Sequence, residues 1–220
     1  MDRVLLSILG AWLLAALAAS AAGLVERLLG PGVPATILTL ASAATLASFL
    51  VPAVRDSVQR LGPAWPVAFH MTRFVGVYFL WMASEGRLDP AWARLAGYGD
   101  IAVAVLAIVL LATGLHRRRV PLLIWNTLGV IDMLFVIAGA ARLMFTAPES
   151  MRPMTELPLA LLPTFVVPVI LCTHVLVYVH AKRWTHERTG ETPVPPKPGQ
   201  SEAGQPRPTS SGPGSHDARA

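Results

Sequence analysis

Six polar side chains interrupt otherwise apolar stretches of this sequence: His70 with Arg73, Asn126 with Asp132, and His174 with Tyr178 one turn further on. A charge at the centre of a membrane helix costs roughly 2.5–3.5 kcal/mol on an insertion scale, so such residues face a partner or a water-filled path. Arg73 and Asp132 carry opposite charges at similar depth in their runs, which predicts that they meet. Arg142 is a poorer partner, because ten residues along the same helix put it about 15 Å from Asp132. His70 lies one turn before Arg73 on the same face, and Gly76 continues that face. Together the six residues define an expected intramembrane polar cluster. It serves either as a path for protons or a small solute, or as hydrogen-bonded glue between helices.

The two histidines allow a second chemistry. Neutral imidazoles on facing helices can be the axial ligands of haem b, which would make His70 and His174 part of a cytochrome-like electron-transfer subunit. Nothing else in the sequence calls for haem, and no cofactor is expected on the first reading. A metal site built from the chain alone is not expected. Cys172 and His174 are about 200° apart on a helix, and His174 and His180 also fall on different faces. The sequence has no H-E-x-x-H, G-x-S-x-G, Walker or dinucleotide-binding pattern, and no nucleophile–base pair can be named, so no enzyme activity is expected. Asp100 directly follows Gly99 before an apolar run and reads as a helix N-cap. Pro163 and Pro168 should loosen the carbonyls of Leu159 and Thr164, since a proline has no N–H to offer one turn back.

The elements that position these residues follow from composition. Of 220 residues, 54% are hydrophobic and 14% charged, with mean hydropathy +0.54. A soluble chain carries about 25% charged residues. The apolar runs are continuous rather than alternating, so they predict helices and not a membrane barrel. The expected fold is an all-α integral membrane protein. A six-transmembrane-helix bundle occupies 1–184, with spans at about 4–22, 34–54, 65–83, 101–115, 120–145 and 157–179. A Pro/Gly/Ser-rich disordered tail follows at 185–220.

The first run resembles a signal peptide, with Arg3 before it and Ala19-Ser20-Ala21 near its end. Its helical pattern nevertheless continues to Gly30-Pro31, which favours a retained helix. Along the second run, Ala35, Thr39, Ala43 and Ala47 make a small-residue face suited to close helix contact. The hydroxyls of Thr36, Ser42, Thr45 and Ser48 are expected to bond carbonyls one turn back. Between the third and fourth runs, Asp89-Pro90 predicts a short interfacial helix at 85–97 with Trp92 at headgroup level.

Charge sets the expected orientation. The net charge is +5, but the basic residues flank apolar runs and form no single face, which argues against nucleic acid. The tight Arg117-Arg118-Arg119 turn should be cytoplasmic. Arg3, Arg55, Arg60, Lys182, Arg183 and Arg188 then share its side, nine basic residues in all, while Glu26, Glu85, Asp89, Asp100, Glu149 and Glu156 lie opposite with five, Arg27, Arg87, Arg94, Arg142 and Arg152. Both termini are thus expected inside a bacterial cytoplasmic (inner) membrane. The bilayer is the expected partner, with a second copy or a membrane-complex subunit as the further candidate.

The region from His70 to His180 resembles a family of small, uncharacterised bacterial polytopic membrane proteins. The likeness rests on Gly99-Asp100-Ile101, on Trp125-Asn126 with Gly129 and Asp132, and on Pro163-Thr164-Phe165 with Val167-Pro168 and His174. It implies no activity or ligand. It does draw attention to Asp100, which the capping argument plays down. An accessory subunit, whose polar cluster only fixes helix packing, is the third expectation for function.

Overall fold

In the computed structural model, residues 3–29 and 32–186 are described. They are mostly helical, joined by short turns, with no strand among them. The tail expected to be disordered lies, from residue 187 on, outside the described residues.

Helix α1 spans Arg3–Ala21 and α2 spans Val33–Leu50. A bend at Val51 and a proline at the next position start the short α3, Pro52–Arg60. The second run therefore stops short of 54, because Pro52 cannot donate to the α2 ladder but is well suited to a first helical turn. The third run is unbroken from Ala64 to Ser84 but is not uniform. It comprises α4 (Ala64–Phe69), a 3-10 segment (His70–Phe74) and α5 (Val75–Ser84).

The fourth run departs furthest from expectation. No short interfacial helix precedes it, and Asp100 caps nothing. One helix, α6, runs from Pro90 to Ala112. Asp89 is its N-cap and accepts a hydrogen bond from the Trp92 amide at 2.7 Å. Trp92 is buried rather than at a headgroup level, and its Nε1 donates to the Val136 carbonyl at 3.1 Å. After a turn through Gly114, His116 folds back so that its Nδ1 meets the Leu110 carbonyl near the α6 terminus at 3.0 Å. Helix α7 covers Arg119–Thr146. The last run begins with turns, passes through a π-helical segment at Leu162–Val166, and continues as α8, Val167–His186.

The π segment has a local cause. Pro168 leaves the Thr164 carbonyl without its usual partner, and Trp12 of α1 fills the gap, its Nε1 donating at 3.0 Å. Trp12 also meets Phe165 edge to face, which seats α1 on the start of α8. On α2 the buried residues are Val33, Ile37, Ala41 and Ser48. The small face expected at Ala35, Thr39 and Ala43 is exposed instead. Of the four hydroxyls expected to bond carbonyls one turn back, those of Thr36, Thr45 and Ser48 do so, and Thr39 does as well.

Five helices, Arg3–Ala21, Val33–Leu50, Pro90–Ala112, Arg119–Thr146 and Leu162–Ala181, are long and apolar enough to cross a membrane. Their outer faces carry Leu14, Leu38, Leu46, Ile108, Ile131 and Phe135 in the open. A soluble monomer rarely shows so much contiguous apolar surface. One apolar core gathers Phe79, Met82, Trp92, Val136 and Met154. A second holds Val67, Val103, Leu122, Trp125 and Val177. Along α6 the order Ala96, Asp100, Val103 passes from the first core to the second through a single acidic residue.

Candidate functional site

Three residues per turn make the 3-10 segment stack positions three apart. His70 and Arg73 therefore share one inward edge, buried at 0% and 1% exposure, while Met71 and Phe74 turn outwards. Gly76, Phe79 and Met82 carry the same buried edge into α5. Glycines then let the neighbours close in. A Cβ on Gly97 would meet the Gly76 carbonyl at 2.8 Å, so α5 and α6 touch backbone to backbone. That approach brings Asp100 beside Arg73.

The Arg73 guanidinium uses its whole fork. Nε donates to Asp100 Oδ1 at 2.6 Å, Nη1 to the Gly129 carbonyl at 3.2 Å, and Nη2 to Asp132 Oδ2. The expected meeting of Arg73 with Asp132 is thus present, and Asp100 joins it from the middle of α6. Asp132 packs over Gly99, where any Cβ would collide with its carboxylate. Asp132 keeps 18% of its side chain exposed, against 6% for Asp100. With both acids ionised, one guanidinium faces two carboxylates, and the trio carries one uncompensated negative charge.

His174 sits on the other side of Gly129. A Cβ there would lie 2.7 Å from His174 Cε1, so only glycine leaves room for the ring. Asn126 is fully buried and holds His174 through ring and backbone. His70 Nε2 lies 3.1 Å from Thr173 Oγ1. The His70 ring meets Trp125 and His174 edge to face, with centroids 4.8 and 4.5 Å apart. His70 Nδ1 and His174 Nε2 are buried and have no hydrogen-bond partner. As they stand, the two rings are in direct contact and do not fit a haem held between them. Among the described residues, no group of three or more His, Cys, Asp or Glu could hold a metal ion.

Tyr178 does not enter this centre. It is 46% exposed, and its hydroxyl lies 2.8 Å from that of Thr127. It belongs to an open lateral groove of about 600 Å³ between α2, α7 and α8, which also reaches His174. A narrower cavity of about 50 Å³ abuts Arg73 and Asp100, with Ile37, Phe79, Val136 and Met144 among its walls.

Thr173 carried no signal in the sequence, Trp125 and Gly129 stood out only through the family resemblance, and Asp100 read as a cap. The residues behind the family resemblance were the available signal. Gly99, Asp100, Trp125, Asn126, Gly129, Asp132 and His174 all converge here.

A family model described as "Domain of unknown function (DUF8737)" matches residues 31–180. No curated protein and no solved structure matches the chain.

Proposed function

The chain belongs to the DUF8737 family, and we propose that it is a six-span protein of a bacterial cytoplasmic membrane whose buried Arg73–Asp100–Asp132 centre, with His70 and His174, lines a pathway for protons or a small solute. One observation carries the reading. Two carboxylates share one guanidinium near the middles of α6 and α7, each deep in an apolar helix. A purely structural bundle gains little from an uncompensated charge there, because burying ions generally costs more than their attraction returns.

Membership of the membrane is supported by the five long apolar helices and by their exposed apolar faces. The unbroken stretch from Ala64 to Ser84 supplies the sixth span, with Arg73 near its middle. The Arg117–Arg119 turn then lies inside, as do both termini. His70 and His174 extend the polar centre from Arg73 across to α8, and the 50 Å³ cavity gives it an approach from the α2 side. The haem alternative lacks the ring spacing it needs.

Purified protein in lipid vesicles tests the pathway. Movement of protons and of small neutral solutes such as glycerol is followed for the native chain and for Asp132→Asn. The expected result is passage of at least one of them, lost in the variant while insertion is retained. Equal passage with and without Asp132 would remove the idea.

A further inference from the structure

We infer that the species handled by the centre is a proton, taken up between His70 Nδ1 and His174 Nε2 as a single N–H···N bridge; this rests on the pathway reading above and names its substrate.

The hydrogen bonds fix both tautomers. Asn126 Nδ2 donates to the His174 carbonyl at 3.2 Å, a group that can only accept, so Asn126 Oδ1 is the atom facing the ring. That oxygen lies 2.8 Å from His174 Nδ1, which must therefore carry the hydrogen. Nε2 is left with a bare lone pair. On the other ring, the Thr173 hydroxyl donates to the Ile170 carbonyl at 2.7 Å. Its oxygen then accepts from His70 Nε2, and His70 Nδ1 is left bare in turn. These two nitrogens are the buried, unpartnered side-chain atoms among the described residues. A bare buried nitrogen with no donor is costly, so each has reason to find one.

Spacing decides what they can share. An N–H···N hydrogen bond of about 3 Å holds two imidazole centres about 5 Å apart. A metal bound by both in line would spread them to about 6 Å. The centroids are 4.5 Å apart at an interplanar angle of 62°, nearer the spacing of the proton bridge than that of the metal. Among the described residues, no third His, Cys, Asp or Glu joins them as a ligand group for a more highly coordinated ion.

Charge points the same way. The 3-10 segment contributes Arg73, α6 contributes Asp100, and α7 contributes Asp132 beside the neutral Asn126. Helices α2 and α4 hold no titratable residue at all, and Tyr78 of α5 packs against Trp81 instead. With both acids ionised the nearest charges sum to minus one, and one added proton brings the centre to neutrality. The 50 Å³ cavity at Arg73 and Asp100 has the volume of a few waters beside those two side chains.

The test is ¹⁵N NMR of histidine-labelled native protein in lipid nanodiscs, titrated from alkaline to acid pH. It needs no variant to fold. The expected result is one proton gained per chain by the His70–His174 pair, with the Nδ1 and Nε2 signals moving together. The Asn126→Ser and Thr173→Val variants should uncouple the two. Independent titration of the rings, or no proton gained while the protein stays folded, overturns the inference. Asp132-dependent glycerol passage without proton uptake overturns it too and leaves the pathway reading standing. Joint uptake of one proton in a protein that passes nothing through vesicles would keep the shared proton and remove the pathway.

Discussion

Asn126 grips His174 twice, accepting from the ring Nδ1 at Oδ1 and donating to the backbone carbonyl from Nδ2, at 2.8 and 3.2 Å. Both residues are nearly inaccessible, with exposures of 0% and 2%. An amide is the right group for this, since it offers an acceptor and a donor on one short side chain. The proline-free stretch after Pro168 lets α8 run regularly enough to present ring and carbonyl to α7 together.

Replacing Asn126 with Leu removes both bonds and leaves the His174 Nδ1–H buried without a partner, while the His174 carbonyl keeps its place in the α8 ladder. The expected cost is about 2–4 kcal/mol, read as a lowered unfolding midpoint in detergent. A loss no larger than that of an exposed substitution such as Thr39→Val would contradict the assignment of the clamp.

Arg73 is the hub of three donations, so its removal strands two carboxylates. Arg73→Met should cost about 3–5 kcal/mol, the usual penalty for breaking a buried ion pair from one side. Arg73→Lys should recover only part, because an ammonium cannot reach Asp100, Gly129 and Asp132 with a planar fork. Adding Asp132→Asn to Arg73→Met should restore some stability, and a double variant worse than the sum of its parts would be inconsistent with the shared charge.

The glycines separate packing from propensity. Gly129→Ala places a Cβ 2.7 Å from His174 Cε1, and Gly99→Ala drives one into Asp132. Each should cost about 1–3 kcal/mol by overpacking. Gly10→Ala in α1 meets nothing within 4 Å and should be neutral or stabilising by about 0.5–1 kcal/mol. Thermal unfolding of the three in the same detergent gives the order directly.

Trp12→Phe keeps the ring against Phe165 but removes the donor to the Thr164 carbonyl. About 1 kcal/mol of stability should go, together with increased proteolytic release of α1. An unchanged α1 would mean that apolar contact alone seats it.

Much of the helical content was legible because uninterrupted apolar runs leave a chain few other ways to satisfy its backbone in lipid. Arg73 with Asp132 was legible from sign and depth. Asp100 was not, because Gly99 before it resembles a helix start, whereas Gly97 and Gly99 are places where Leu80 and Asp132 press on α6. A glycine's meaning depends on a neighbour that lies elsewhere in the chain. The same limit hid Thr173, whose hydroxyl looks like any other until His70 arrives beside it. Tyr178 follows His174 by one turn, but that spacing does not say which side of α8 meets protein, and its hydroxyl ended on the exposed side with Thr127. The exposed Ala35, Thr39 and Ala43 face of α2 teaches the same lesson, since small residues permit close contact without naming the partner.

The central claim is that the buried ionic centre conducts, and proton entry into vesicles tests it most directly. Protein reconstituted with an internal pH-sensitive dye is driven by a potassium diffusion potential, and the native chain is compared with Asp100→Asn, Asp132→Asn and Gly10→Ala. The account predicts acidification for the native chain and Gly10→Ala, and at least tenfold slower entry for both aspartate variants at equal protein content. Acidification at the native rate in both aspartate variants would contradict it.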